Sequence, residues 1–166
     1  VLTNTTGLVR YRLDDVVRVV GRRGQTPTVE FLHRGGRVAS VAGEKLTENQ
    51  LVDAVRSATR ALGLREFDFV AAPVWDEPPY YRLSCTTVGS DRLSETVDRA
   101  LCERNEEYAS RRKSLRLKQL EIRPITSEHV AAMDRALLSA RGSTNEQYKR
   151  PCLFAAPGDD DRLLGL

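Results

Sequence analysis

The hydrophobic pattern of this chain switches period at Thr47, and that switch restricts the folds open to it. Before it, apolar residues fall into short β-branched runs. After it, "TENQLVDAVRSATRALG" puts Leu51, Val55, Ala58 and Leu62 on one face at helical spacing. The stretch opens with a Thr-x-x-Gln capping box and stops at Gly63, so a helix is predicted between these signals.

Residues 1 to 34 read as β structure: "DVVRVVG", a polar turn "RRGQTP" and "TVEFLHR" form a hairpin. The paired glycines Gly35 and Gly36 then mark the preferred boundary, just ahead of the short apolar strand of "GGRVASVAGEKL". Beyond the first helix, "EFDFVAAPVW" and "YYRLSCTTV" are predicted strands around a "DEPP" turn. A long helix over "SDRLSETVDRALCERNEEYASRR" follows, capped and packed by Asn105 and Tyr108, then the strand "RLKQLEIRPI" and a third helix, "TSEHVAAMDRALLSARG". "STNEQYKRPCLF" is too irregular for an element, and "APGDDDRLLGL" is expected to fray. From Val38 onward the order is β-α-β-β-α-β-α. The fold class is therefore α+β, with helices on one face of a small antiparallel sheet, preceded by a β-hairpin.

Composition narrows the function. The 166 residues are 40% hydrophobic, enough for one ordinary core. Lys and Arg outnumber Asp and Glu by 26 to 23, and a net charge of +3 does not by itself imply a nucleic-acid or membrane partner. Only Phe67, Phe69, Tyr80 and Tyr81 could stack on bases, without an RNP-like pattern around them, so no RNA partner is expected. No apolar run approaches the ~20 residues needed to cross a bilayer. Cys85, Cys102 and Cys152 are odd in number and widely spaced, which reads as reduced thiols in a cytoplasmic protein. His33 and His129 lie far apart with no third ligand nearby, so no metal site is expected. Neither a G-x-S-x-G elbow nor a G-x-x-x-x-G-K-[ST] loop occurs.

Three stretches can carry chemistry. In "GLVRYRLDDVVRVVG", Asp15 is a carboxylate able to accept two hydrogen bonds from a vicinal diol; the same run also reads as a charged edge strand that resists pairing. "FLHRGGRVASVAGEKLTE" puts Arg34, Arg37, Glu44 and Lys45 on the flanks of glycine turns, where they either converge on an anion or form a solvated basic loop. In "QYKRPCLF", Lys149 lies between Tyr148 and a Pro151 that stops any helix, so its ammonium is held in a defined loop or is simply a surface lysine.

Taken in order, these stretches resemble the C-terminal end of the auxin-responsive family of acyl-acid amido synthetases, within the adenylate-forming, luciferase-like superfamily. "GLVRYRLDDVVRVVG" is similar to the family's G-L-x-R-Y-R-x-x-D-V-V-x-V-x-G, "FLHRGGRVASVAGEKLTE" to its hinge motif, "RALCERNEEY" to its N-x-x-Y helix, and "ARGSTNEQYKRPCLF" to its closing R-G-x-x-x-x-Q-Y-K-x-P. The likeness runs from Gly7 to Pro151.

The resemblance implies ligase chemistry. ATP and Mg²⁺ activate a small carboxylic acid as its adenylate, an amino acid takes the acyl group, and a large N-terminal domain is the partner of a swinging lid. Residues 1–35 would be terminal strands of the large adenylation domain, 36–157 the lid and 158–166 a flexible tail; the opening at Val1, inside a strand, agrees with a piece of a longer chain that is inactive alone. Asp15 would hold the ribose hydroxyls with Arg34 nearby, Lys45 and Lys149 would be the catalytic cations, and Gly35, Gly36 and Arg37 the hinge. Asp14 stands where the family has glycine. Cys152 stands where an arginine commonly follows the closing motif, with Arg150 as the candidate stand-in. The alternatives are an acyl-CoA ligase of the same superfamily and a non-catalytic α+β binding module.

Overall fold

The computed structural model describes residues 3, 5, 7, 9, 15–34, 37–87, 91–141 and 148–166. The chain divides into two compact units, Val1–Gly36 and Arg37–Leu166.

In the first unit β1 (Asp15–Arg23) and β2 (Thr26–Arg34) form an antiparallel hairpin whose turn passes through Gly24 at φ 63°, a left-handed conformation that glycine adopts without strain. The register shifts between Val16 and Val17 and again between Val19 and Gly21, and it ends with Asp15 opposite Arg34. Val17, Val19, Val20 and Val29 stay exposed.

The second unit carries the rest of the α+β fold. β3 (Val38–Ala39) pairs antiparallel with β4 (Leu46–Thr47), and α1 (Glu48–Ala61) follows directly. The predicted capping box is present: Gln50 N–H donates to Thr47 Oγ1 at 3.3 Å and Thr47 N–H to Gln50 Oε1 at 3.0 Å. Leu51, Ala54, Val55 and Ala58 are its buried face.

β5 (Phe69–Val74), β6 (Tyr80–Cys85) and β7 (Glu121–Pro124) form a sheet in that order. β5 and β6 are an antiparallel hairpin, as expected, but β7 runs parallel to β6. The sheet is therefore mixed where an antiparallel one was expected, because the helices between β6 and β7 return the chain to the end from which β6 started. β5 also alternates between two cores. Ala71 packs with α1 and α2 (Asp91–Arg104), whereas Val70 and Ala72 face a second cluster of Ile125, Val130, Met133, Phe154 and Leu164. Both faces of the sheet are covered, not one, because α4 (Ser127–Arg141) takes the second face.

The long helix is two. It breaks at Asn105, whose side chain caps α3 (Glu106–Lys113) by accepting from Tyr108 N–H at 2.9 Å. The tail expected to fray is instead α5 (Asp159–Leu164): Leu164 joins the second core, and the fully buried Asp160 accepts from Arg82 and Arg123. Six residues give little helical stability of their own, so these tertiary contacts hold it.

Candidate functional site

Residues 41 to 48 build the first half of the site. Glu44 turns inward and accepts from Val41 N–H and Ala42 N–H, both at 2.9 Å, and from the Tyr81 hydroxyl in a short hydrogen bond. Its carboxylate is fully buried. Burial, with Glu44 beside it, pushes the Tyr81 phenol far above its ordinary range, so this hydroxyl stays a donor. Glu44 thus shapes the loop and is not presented to a ligand.

Lys45, next in sequence, is exposed, and its backbone is fixed on both sides. Its N–H donates to Glu107 Oε2 at 2.9 Å, and its carbonyl accepts from Asn105 Nδ2 at 2.9 Å. Asn105 Nδ2 also donates to Gln50 Oε1 at 3.1 Å. Two of the sequence motifs therefore touch: the asparagine of N-x-x-Y caps α3 with its oxygen and holds the backbone of the hinge-motif lysine with its nitrogen. The tyrosine of that motif, Tyr108, is fully buried and donates to Asp98 Oδ1 at 2.7 Å.

The second half is the closing segment. Tyr148 OH donates to Asp134 Oδ1 at 2.6 Å, and Arg150 donates to the same carboxylate through Nε at 2.9 Å and Nη2 at 2.6 Å. Arg150 Nη1 also reaches Asp68 Oδ1. The Arg150 guanidinium holds the Asp134 carboxyl below the usual carboxylate range. Arg150 is thus committed to Asp134 and Asp68 and is not a free cation. Lys149, between these two anchored residues, is exposed and makes no ion pair among the described residues.

Past Pro151, Cys152 N–H and Leu153 N–H donate to Glu48 Oε1 at 2.6 and 3.2 Å. Cys152 carbonyl accepts from Ala71 N–H, and Phe154 N–H donates to Ala71 carbonyl, both at 2.8 Å, which adds a strand-like edge to β5. Burial pushes the Cys152 thiol up to about 11, so it is not a thiolate near neutrality.

Arg37 joins both halves. Its carbonyl accepts from Glu48 N–H at 2.9 Å and its guanidinium lies 5.8 Å from the centre of the Phe154 ring. Glu48 therefore ties the first residue of this unit, the start of α1 and the closing segment together.

Asp15 and Arg34 belong to the other unit, where the hairpin register makes them backbone partners. Gly35, Gly36 and Asp14 lie outside the described residues. Sequence reasoning passed over Glu48, Glu107, Asn105's hold on Lys45, Asp68 and above all Asp134. Asp134 sits mid-helix in "AAMDRALL" with no local signal of its partners, which follow 14 and 16 residues later. Among the described residues no group of three or more histidine, cysteine or carboxylate side chains is placed to hold a metal ion. No helix among them is long and apolar enough to cross a membrane.

Residues 49–157 match the GH3 family C-terminal domain and residues 1–34 the GH3 family central domain. The indole-3-acetic acid-amido synthetase GH3.4 of Arabidopsis thaliana is 30% identical over 175 residues, covering 95% of this chain and 29% of its own length. A GH3 domain-containing protein of Homo sapiens is 35% identical over 123 residues, covering 70% of this chain and 23% of that protein. The solved structure of GH3.15 acyl acid amido synthetase matches with a TM-score of 0.75 and 26% identity, over 98% of this chain and 31% of the other. The chain thus spans less than a third of the length of these relatives.

Proposed function

The chain belongs to the GH3 family, and on that premise we propose that the complete protein is an ATP-dependent acyl-acid amido synthetase in which residues 36–157 are the moving lid. A carboxylate oxygen attacks the α-phosphorus of ATP, the bond to the β-phosphate breaks, and pyrophosphate leaves. The amine of an amino acid then attacks the acyl carbon, the bond to AMP breaks, and the nitrogen sheds a proton. The observation that carries the reading is the fit of 98% of this chain to an acyl acid amido synthetase structure.

On this reading Asp15 accepts from the ribose hydroxyls of ATP and of the acyl adenylate, and Arg34, its register partner, lies beside the same nucleotide. Lys45 and Lys149 bring positive charge to the phosphates and the reacting carboxylate as the lid closes, where charge grows in the transition state. Closure also excludes water that would hydrolyse the mixed anhydride. Gly35, Gly36 and Arg37 are the hinge, since a domain rotation concentrates its φ/ψ change in a few permissive residues. The exposed Val17, Val19, Val20 and Val29 of the hairpin support its place in a larger domain, because a lone two-stranded hairpin does not cover its apolar face.

Mg²⁺, the acyl pocket and the phosphate loop are assigned to that larger domain, so the 166 residues alone are inactive. The substrates are a small carboxylic acid and an amino acid. Cys85, Cys102 and Cys152 are all free, which supports a cytoplasmic location. The test is AMP release by the full-length protein with a panel of carboxylic acids, offering amino acids in one arm and coenzyme A in the other. Release that requires an amino acid is expected; release only with coenzyme A would assign the protein to the acyl-CoA ligases.

A further inference from the structure

We propose that Asp134 is the positioning residue for the Lys149 ammonium: one carboxylate on α4 clamps the residues on both sides of that lysine and so aims it away from the domain. The proposal rests on the reading of Lys149 as a closing cation, and it adds a residue that no motif contains.

A lysine offers four rotatable side-chain bonds, and if its backbone also wanders, holding its ammonium at one point costs still more entropy. Here the backbone is held. Tyr148 and Arg150 are both half-buried against Asp134, whereas Lys149 between them is exposed, an alternation that follows when two neighbours are pulled to one side. The grip is geometrically specific. Arg150 engages Asp134 through Nε and Nη2, a fork that a lysine could not reproduce, and Tyr148 fills a further site on Oδ1. Downstream, Glu48 and Ala71 fix residues 152 to 154, so the segment is secured beyond the lysine as well.

The same contacts settle the division of labour between adjacent cations. Arg150 is neutralised by Asp134 and Asp68, so bringing this segment to a polyphosphate presents Lys149 and not Arg150. Asp134 thus acts through others: it touches no reacting atom and determines where an ammonium starts from when the lid moves. A prepositioned group of this kind raises the rate without tightening substrate binding.

The experiment uses the full-length protein with Asp134→Asn, Lys149→Ala and the double variant. Backbone amide exchange over 148–153 is read first, because it does not depend on turnover. Asp134→Asn is expected to speed exchange there about tenfold or more while leaving the β6 amides unchanged. Unchanged exchange over 148–153 overturns the proposal. Pyrophosphate exchange into ATP, with indole-3-acetic acid as the probe acid, is read second: a fall in kcat of about tenfold with KM for ATP within about twofold is expected, and no further loss when Lys149 is already alanine. A full Asp134→Asn loss in the Lys149→Ala background would make Asp134 a structural residue only and overturn its positioning role. Should Lys149→Ala leave turnover intact, the reading of Lys149 falls while amide exchange still decides whether Asp134 holds it. Tyr148→Phe, which removes one hydrogen bond and keeps the ring, gives a smaller change in the same direction if Asp134→Asn unfolds.

Discussion

Glu44 and Lys45 are neighbours in one motif and have opposite tasks, and the difference comes from burial. The carboxylate faces inward to three donors, Val41 N–H, Ala42 N–H and the Tyr81 hydroxyl, whereas the ammonium faces water. Glu44→Ala leaves those donors without a partner in a dry site, so a loss of about 3 kcal/mol is expected in urea unfolding of the chain. A loss below about 1 kcal/mol would mean that water replaces the carboxylate. Asp134 and Asp161 give the pH dependence. Guanidinium partners hold both carboxyls below their ordinary value of 3.8. A folded value below the unfolded one contributes stability that is fully present above the unfolded pKa and is lost as pH falls through the folded one. The urea midpoint should therefore be flat from pH 7 to 5 with respect to these groups and fall below about pH 4, less steeply in Asp134→Asn than in the parent. The motifs point to Asp15, Lys45 and Lys149 as candidates. They do not point to Asp134, because that residue's partners are fixed by the packing of α4 against the closing segment and not by any spacing along the chain.

At the scale of elements, the amphipathic period of α1 and its Thr47–Gln50 box were legible because every determinant is local. The break between α2 and α3 was not. Apolar spacing runs through Leu93, Val97, Leu101 and Tyr108 as though one helix continued, yet Asn105 is extended at φ −141° and caps the second helix. Asn105→Ala removes that cap and the hold on Lys45 carbonyl together, so a destabilisation of about 2 kcal/mol is expected by thermal melting, with α3 amides exchanging first. The parallel return of β7 and the anchoring of α5 were equally hidden, since each depends on contacts between segments far apart in sequence. Arg82 and Arg123 meet the fully buried Asp160 from adjacent strands. Asp160→Ala removes the buried partner of both guanidinium groups and leaves them only the more exposed Asp161, so it should cost about 3 kcal/mol in urea unfolding. An effect near zero would mean that Asp161 alone satisfies both arginines.

At the scale of the molecule, the chain consists of a hairpin unit and a larger α+β unit, divided after Gly36. Its family was legible because four motifs stand in the right order, and the N-x-x-Y asparagine and the hinge-motif lysine prove to be in direct contact. What the second unit adds is rigidity at one place. Glu48, Ala71, Asp134 and Asp68 fasten the closing segment at both ends, and Lys149 is the exposed residue between. On the proposed reading, a cation carried on so fixed a segment serves a step in which charge builds at a phosphate and contributes little to ground-state binding. The measurement that tests this most directly is single-turnover adenylate formation by the full-length protein and its Lys149→Ala variant. A rate lowered about a hundredfold or more, with the dissociation constant of ATP within about threefold of the parent, is the predicted result. An unchanged rate, or a loss carried entirely by weaker ATP binding, would contradict it.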